Sequence, residues 1–358
     1  MSDRPVVLVL PDLMAGGAQR QALLLAESLG IEEIALVLLT DRPDELMPPT
    51  DLRVFRLGFE PQFGVWAKAR NVIQLLLRLR RQIAALEPAV VVGMLDTVNV
   101  RVSLAMLGSG IRVICRVATD PLGDQLTRLE ALLRWLLYPR ASAVVMQAEE
   151  YVVSTFWARR SDCVVIPNGV KLHPTRADLA RKQITAVGRL EPEKEMHIVI
   201  DAFAGLAPDF PNWSVTIAGE GSCRTALEQQ TTRRALDEQV RLPGVSSETA
   251  SLLGRTSIFV LTSRYEGMPN ALMEAMSMGV PSIATDSSAG VRLLLRSGGG
   301  YLVPVGDVHA IRTRLRELME DPAVRHRLGE EARVAVEEFD VDTLASRWRL
   351  LIERVGRC

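Results

Sequence analysis

The sequence predicts an α/β protein of two doubly wound domains, and three observations carry that expectation. At 358 residues the chain is too long for one ordinary core. Short runs rich in Val, Ile and Leu alternate with longer amphipathic stretches over almost its whole length, as parallel sheets with helices on both faces require. Near residues 165–182, Pro167, Asn168, Gly169 and Pro174 break regular structure and divide the elements into two series.

In the first series strands are expected at 6–10, 34–39, 52–57, 89–94, 111–115 and 143–146, each a short apolar run of strand length. Amphipathic patterns at 19–29, 66–86 and 126–137 predict helices between them. The second series places strands at 184–187, 214–218, 240–242, 258–261 and 281–284. Gly298, Gly299 and Gly300 read as a loop. Residues 342–355 put Leu344, Trp348, Leu351, Ile352 and Val355 on one helical face, which must pack against something, with a return across the domain junction as one option. The expected division is 1–170, 171–340 and a terminal helix at 341–358.

Composition narrows the function classes. A chain 48% hydrophobic and 24% charged is that of a soluble globular protein. A net charge of −1 gives no reason to expect nucleic acid. The distribution is uneven, because residues 53–140 hold 13 Lys/Arg against 6 Asp/Glu. The four cysteines, Cys115, Cys163, Cys223 and Cys358, are far apart and predict reduced thiols in the cytoplasm. His173, His197, His309 and His326 have no ligand spacing, so no structural zinc is expected. The first apolar run, five residues, is too short for a signal peptide, and no segment has the length of a membrane span.

The most informative segment runs from Ser263 to Glu274, Ser-Arg-Tyr-Glu-Gly-Met-Pro-Asn-Ala-Leu-Met-Glu. It follows the strand at 258–261 and leads into a helix that Asn270 can cap. Glu266 therefore sits at the carboxyl end of a strand and Glu274 on the first turns of the next helix, where open α/β sheets bind ligands. Gly16 and Gly17 follow the first strand and precede a helix, an arrangement that lets backbone amides approach an anion. A plain tight turn would use the same residues. The turn lacks the spacing of dinucleotide binders and of P-loops, which disfavours nicotinamide enzymes and nucleotide triphosphatases. Arg189 and Lys194 flank a turn after the strand at 184–187 and could grip a diphosphate from two sides, with backbone amides of Asn270 and Ala271 added.

With these residues assembled, the chain resembles the retaining GT-B glycosyltransferases of family 4 over nearly its whole length. The resemblance rests on Gly16-Gly17-Ala18-Gln19-Arg20, Val165-Ile166-Pro167-Asn168-Gly169-Val170, Val187-Gly188-Arg189-Leu190 with Lys194, Ile217-Ala218-Gly219-Glu220-Gly221, Glu266 to Glu274, and Gly279-Val280-Pro281-Ser282-Ile283-Ala284-Thr285 in family order. It implies two Rossmann-like domains facing each other across a cleft, an acceptor bound by the first and a nucleotide-diphosphate sugar by the second. Arg189 and Lys194 would neutralise the leaving diphosphate, Glu274 would bind the ribose, and Glu266 would face the donor sugar. Gly16 and Gly17 would reach the phosphate, and Gly267, Met268, Asn270 and Ala271 would line the donor. No cofactor or metal is implied. Asp340-Val341-Asp342 spells the Asp-x-Asp of metal-using transferases, but at the start of a helix it reads as a cap.

The sequence departs from the family pattern at three places. Glu195 stands where Gly usually follows the Lys, adding negative charge near the expected phosphate. Ser287-Ser288-Ala289-Gly290-Val291-Arg292 lacks the family's Pro-Glu. The first half has no His before His173, which leaves Arg116 or Asp120 to contact donor or acceptor. Two other functions share the architecture: a catalytically silent sugar-nucleotide-binding protein and a non-hydrolysing sugar-nucleotide epimerase. The acceptor expectation is a glycan or lipid-linked hydroxyl in cell-surface polysaccharide or glycoconjugate synthesis. The basic amphipathic stretch 66–81 could lie on anionic lipid, or could be a packing helix with a solvated basic edge. The expected location is the cytoplasm or the inner face of the membrane.

Overall fold

The computed structural model describes residues 4–14, 16–59, 65–121, 126–245 and 249–357. Cys358 and the side chains of 65–69, which include Trp66 and Lys68, lie outside the described residues. The chain forms two compact units, Met1–Gly169 with Val341–Cys358, and Val170–Asp340.

The first unit is built on a seven-stranded parallel sheet. Its strands are β1 (Val6–Leu10), β2 (Ile34–Leu38), β3 (Arg53–Arg56), β4 (Val90–Gly93), β5 (Val113–Arg116), β6 (Ala143–Met146) and β7 (Cys163–Val165), in the order β3-β2-β1-β4-β5-β6-β7. Every residue of β1, β2, β4, β5 and β6 is buried, which is why those strands are continuous apolar runs rather than alternating ones. At the edge, β3 reads Arg-Val-Phe-Arg and is partly exposed. The helices are α1 (Gly17–Leu29), α2 (Val65–Ala85), α3 (Asp96–Met106), α4 (Arg128–Leu137) and α5 (Glu149–Ser154). Three free thiols, Cys115, Cys163 and Cys223, are present among the described residues. Burial pushes the Cys115 thiol up to about 12 and keeps it unreactive.

The second unit repeats the plan with six strands. They are β8 (Gln183–Val187), β9 (Ser214–Ala218), β10 (Val240–Gly244), β11 (Ile258–Leu261), β12 (Ser282–Thr285) and β13 (Gly300–Val303), in the order β10-β9-β8-β11-β12-β13. The edge place of β10 explains how it tolerates Pro243. Its helices are α6 (His197–Ala204), α7 (Arg224–Arg233), α8 (Thr249–Leu253), α9 (Asn270–Ser277), α10 (Ala289–Leu295), α11 (Val308–Glu320) and α12 (Pro322–Glu337). All strand pairs in both sheets are parallel.

Two strands were not expected. β7 is three residues long, and β13 starts inside the glycine run that reads as a loop. Gly300 is there because a side chain would strike the carbonyl of Ser282 on β12, 2.2 Å from its Cβ. The terminal helix, α13 (Val341–Arg357), belongs to the first unit and packs on α1. It buries Leu344, Trp348, Leu351, Ile352 and Val355, and Arg349 donates to the Ser28 carbonyl at 2.6 Å. Asp342 lies in its first turn, where a carboxylate complements the helix dipole. In α2, Asn71, Leu75, Leu79 and Ile83 make a buried stripe, while Val72, Ile73 and Leu77 are exposed on the other side. No helix among the described residues is long and apolar enough to cross a membrane.

Candidate active site

In the second sheet the strand order reverses between β8 and β11, the adjacent strands from which the chain winds outward in both directions. A crevice at the carboxyl ends of such a pair is the standard ligand position of open α/β sheets. Lys194 and Glu266 meet there. After β8, Gly188, Arg189 and Leu190 lead into a single 3-10 turn, Pro192–Lys194. After β11, the 262–269 segment leads into α9. The Lys194 ammonium donates to Glu266 Oε1 at 2.6 Å, and both side chains are mostly buried, 18% and 12% exposed.

Several further bonds hold the two loops. Ser263 Oγ donates to the same Glu266 oxygen at 2.6 Å. Thr262 Oγ1 donates to the Lys194 carbonyl at 2.7 Å, and the Arg264 amide to the Glu193 carbonyl at 2.8 Å. Thr285, at the end of β12, donates to the Ser263 carbonyl at 2.6 Å. Lys194 and Glu266 are thus fixed by backbone and hydroxyl bonds around them. Arg189 is different, since its guanidinium is 61% exposed and pairs with Glu193 at 2.8 Å.

Glu195 adopts the left-handed conformation, φ 45° and ψ 37°, which explains why a glycine suits this position. Its carboxylate is buried, and Oε1 accepts two bonds from the Arg264 guanidinium, at 2.6 and 3.2 Å. The added negative charge expected at Glu195 is therefore offset by Arg264.

Asn270 is not the cap expected of it. Pro269 holds the cap position and offers no side-chain hydrogen bond, so Asn270 is the first helical residue and Ala271 the second. Glu274 stands half-buried one turn further on. The loop lacking the family's Pro-Glu is tied into the same place. Ser288 caps α10 by accepting from the Val291 amide at 3.1 Å, and its hydroxyl donates to the Gly267 carbonyl at 2.8 Å. Gly290 packs so closely on this loop that a Cβ would lie 2.1 Å from the Gly267 carbonyl oxygen. Met268 is buried beneath it.

The remaining expected residues lie in the first unit. Gly16 is the cap residue of α1 and Gly17 its first helical residue. Asp12 braces this turn, accepting from Gln19 Nε2 at 3.1 Å and from the Met14 amide at 3.3 Å. Arg116 ends β5 and is buried, donating to Asn168 Oδ1, which Gln147 Nε2 also reaches at 2.7 Å. Burial lowers the Arg116 guanidinium to about 10, so it stays charged at neutral pH. Asp120 is half-buried in the segment after β5.

Sequence reasoning missed Ser263, Arg264, Ser288 and Asp12. Ser288 had a local signal, a serine standing directly before a short apolar helix. Arg264 had none, because its partner is 69 residues away.

Comparison with known proteins finds relatives of this chain. The family described as Glycosyl transferases group 1 matches residues 173–335, inside the second unit. The exopolysaccharide phosphotransferase SCO2592 of Streptomyces coelicolor is 33% identical over 195 residues, 54% of this chain but only 20% of that protein. The N-acetylgalactosamine-N,N'-diacetylbacillosaminyl-diphospho-undecaprenol 4-alpha-N-acetylgalactosaminyltransferase of Campylobacter jejuni is 25% identical over 345 residues, 92% of this chain and 93% of that one. The crystal structure of Anabaena Alr3699/HepE in complex with UDP and glucose has a TM-score of 0.83 at 18% identity, over 98% of this chain and 99% of that one. Such low identity speaks to the fold alone. Two doubly wound parallel sheets, a group 1 match over the unit that holds Lys194 and Glu266, and these relatives make the chain a glycosyltransferase of the GT-B fold.

Proposed function

We propose that the protein is a retaining glycosyltransferase of family 4 that moves a sugar from a UDP- or GDP-sugar to a hydroxyl of a glycan or lipid-linked acceptor. The observation that carries this reading is the Lys194–Glu266 pair at the point where the second sheet reverses its strand order. Transfer from a nucleotide sugar leaves a diphosphate whose charge must be stabilised as it departs, and fixed cations are effective at this because they need little reorganisation. Lys194 supplies such a cation. Arg189 supplies a second, and its exposed pair with Glu193 is weak enough to be exchanged for phosphate at small cost. The first turn of α9 offers the backbone amide of Ala271 to the same oxygens.

In this reading Glu274 takes the ribose. Glu266 turns to the donor sugar once the diphosphate draws Lys194 away, and Ser263 keeps its carboxylate in place. Gly16 and Gly17 approach the phosphate, Gly267 and Met268 line the donor, and Arg116 or Asp120 serves the reacting sugar or the acceptor. Because side-chain cations and helix amides do the electrostatic work, the proposal includes no metal and no cofactor. The complex of the Anabaena neighbour with UDP and glucose supports a UDP-sugar donor. The undecaprenol diphosphate in the name of the Campylobacter relative supports a lipid-linked acceptor, met in the cytoplasm or at the inner face of the membrane.

A donor screen scored for UDP or GDP release, followed by identification of the glycoside product and its anomeric configuration, tests this reading. Lys194→Ala is expected to lower turnover by about 10²–10³-fold while the protein stays folded. Near-normal turnover would remove Lys194 from the site, and an inverted product would remove retention. Interconversion of the free sugar nucleotide without transfer would make the protein an epimerase instead.

A further inference from the structure

Arg116 is the one charged side chain in the wall of a small cavity inside the first unit, and it has no counter-ion there. It ends β5 and is 3% exposed. Its Nη2 donates to Asn168 Oδ1, but Nη1 is buried without a hydrogen-bond partner. Among the described residues no carboxylate pairs with it. Asp96 is taken by Arg134 at 3.6 Å and by the Tyr138 hydroxyl at 2.7 Å. Asp12 is taken by Arg42 at 3.6 Å and by Gln19 at 3.1 Å. Burial lowers the Arg116 guanidinium, and no neighbouring negative charge raises it again. A charge buried in a protein is ordinarily paired or set against a bound ion, because an unpaired one is costly.

The cavity is bounded by α1, the ends of β4 and β5, the 167–169 segment and α13, all parts of one unit. Its volume is about 20 Å³, which holds one water-sized particle and excludes a sugar, a phosphate or a carboxylate. It is not fully enclosed, so an ion can reach it without unfolding. Leu25, Met94, Val341, Leu344, Ala345 and Trp348 make most of the wall apolar. Two polar residues of the wall are engaged with each other. Gln21 Nε2 donates to the Gly169 carbonyl at 2.7 Å, and the Gly169 amide donates to Gln21 Oε1 at 2.9 Å. Water is a poor occupant, because it needs about two to four polar partners and would leave the charge uncompensated. A single monatomic anion meets both demands. It accepts from Nη1, cancels the charge and asks for no directed partner from the apolar wall.

We propose that this cavity is a site for one halide ion, chloride in the cell, held by Arg116 Nη1. The ion lies where the chain leaves the first unit, since Arg116 and Gln147 both donate to Asn168 Oδ1 and Gln21 clamps Gly169. It also lies against Val341, Leu344 and Trp348, and so helps to seat α13 on the unit that α13 completes. Of the two residues offered above for the sugar or the acceptor, this reserves Arg116 for the ion and leaves Asp120. The inference rests on the first unit alone, so its failure would leave the donor site of the second unit untouched.

Calorimetry of the full chain in sodium chloride and in sodium gluconate at equal ionic strength tests it, together with anomalous diffraction from bromide-soaked crystals. Chloride should raise the melting temperature of the first unit by about 2–4 °C, and bromide should give a peak beside Arg116. Arg116→Met, similar in length and uncharged, should lose the chloride dependence. Ala345→Val, which fills the cavity without removing the guanidinium, should lose it too and melt below the parent in chloride. If Arg116→Met does not fold, Ala345→Val provides the same reading. Equal melting in chloride and gluconate, with no bromide peak in the cavity, would overturn the proposal and leave water as the occupant. A bromide peak there without any effect of chloride on melting would also overturn it, as binding at crystal concentration only. So would a chloride effect that persists in folded Arg116→Met, or one whose bromide peak lies elsewhere, because the ion would then act at another place.

Discussion

Among single residues, Glu195 shows how a local penalty is offset within the site. A left-handed conformation costs a non-glycine residue about 1–2 kcal/mol. Its carboxylate is also buried, with Oε2 lacking a hydrogen-bond partner. Arg264 supplies the compensation, and its own exposure of 64% means that it loses little when the pair is broken from the other side. The two partners should therefore respond asymmetrically. Arg264→Ala is expected to lower stability by about 2 kcal/mol, because it strands a buried carboxylate, with the figure reduced for screening at the exposed end. Glu195→Gly should stay within about 1 kcal/mol of the parent, since it relieves backbone strain as it removes the pair. Urea unfolding of both variants and their combination is the measurement, and the double variant should resemble Glu195→Gly. Only part of this was legible in the sequence. Lys194 and Glu266 could be named because each follows a strand and precedes a helix. Their mutual bond could not, because 72 residues separate them and pairing across that distance is a tertiary fact.

At the level of elements, the long apolar runs announced themselves and the short edges did not. β1 and β11 start and end where their apolar runs do, because a strand buried on both faces has no polar residue to blur it. β13 gave no such signal. Three residues after a glycine run acquire strand geometry only by pairing with β12, and Gly300 is required by that close approach. Strand order is equally a tertiary property, so the reversal between β8 and β11 could be located only in the structure. The same holds for α10, whose first residues brace the 262–269 loop. Ser288→Ala removes both the helix cap and the bond to Gly267, and should cost about 1 kcal/mol of stability. Gly290→Ala should affect folding and binding together. Its methyl would collide with the Gly267 backbone and displace the loop, lowering the melting temperature and raising the KM for donor in steady-state kinetics.

At the scale of the whole molecule, each unit has its own sheet and its own core. The first is completed by α13, whose Trp348 is 4% exposed. Trp348→Ala should cost about 3–5 kcal/mol, as large-to-small changes of buried aromatics do. Calorimetry should show that loss in the transition of the first unit and leave the transition of the second in place. A uniform shift of both would mean that the two unfold as one.

The chain leaves the first unit at Gly169 and rejoins it at Val341, and Val170 and Asp340 pair as a β-bridge. The second unit is thus an insertion whose ends meet. Translation runs in one direction, so the first unit cannot be finished when its seven strands have been made. It waits while 171 further residues (170 to 340) are synthesised, roughly 10–30 s at ordinary ribosomal rates. During that interval the surface of α1 that will receive α13 has no cover, and the second unit can fold first. A segment made after the second unit completes the sheet made before it, so the interval between them, rather than the making of either sheet, is when this protein is most exposed to aggregation.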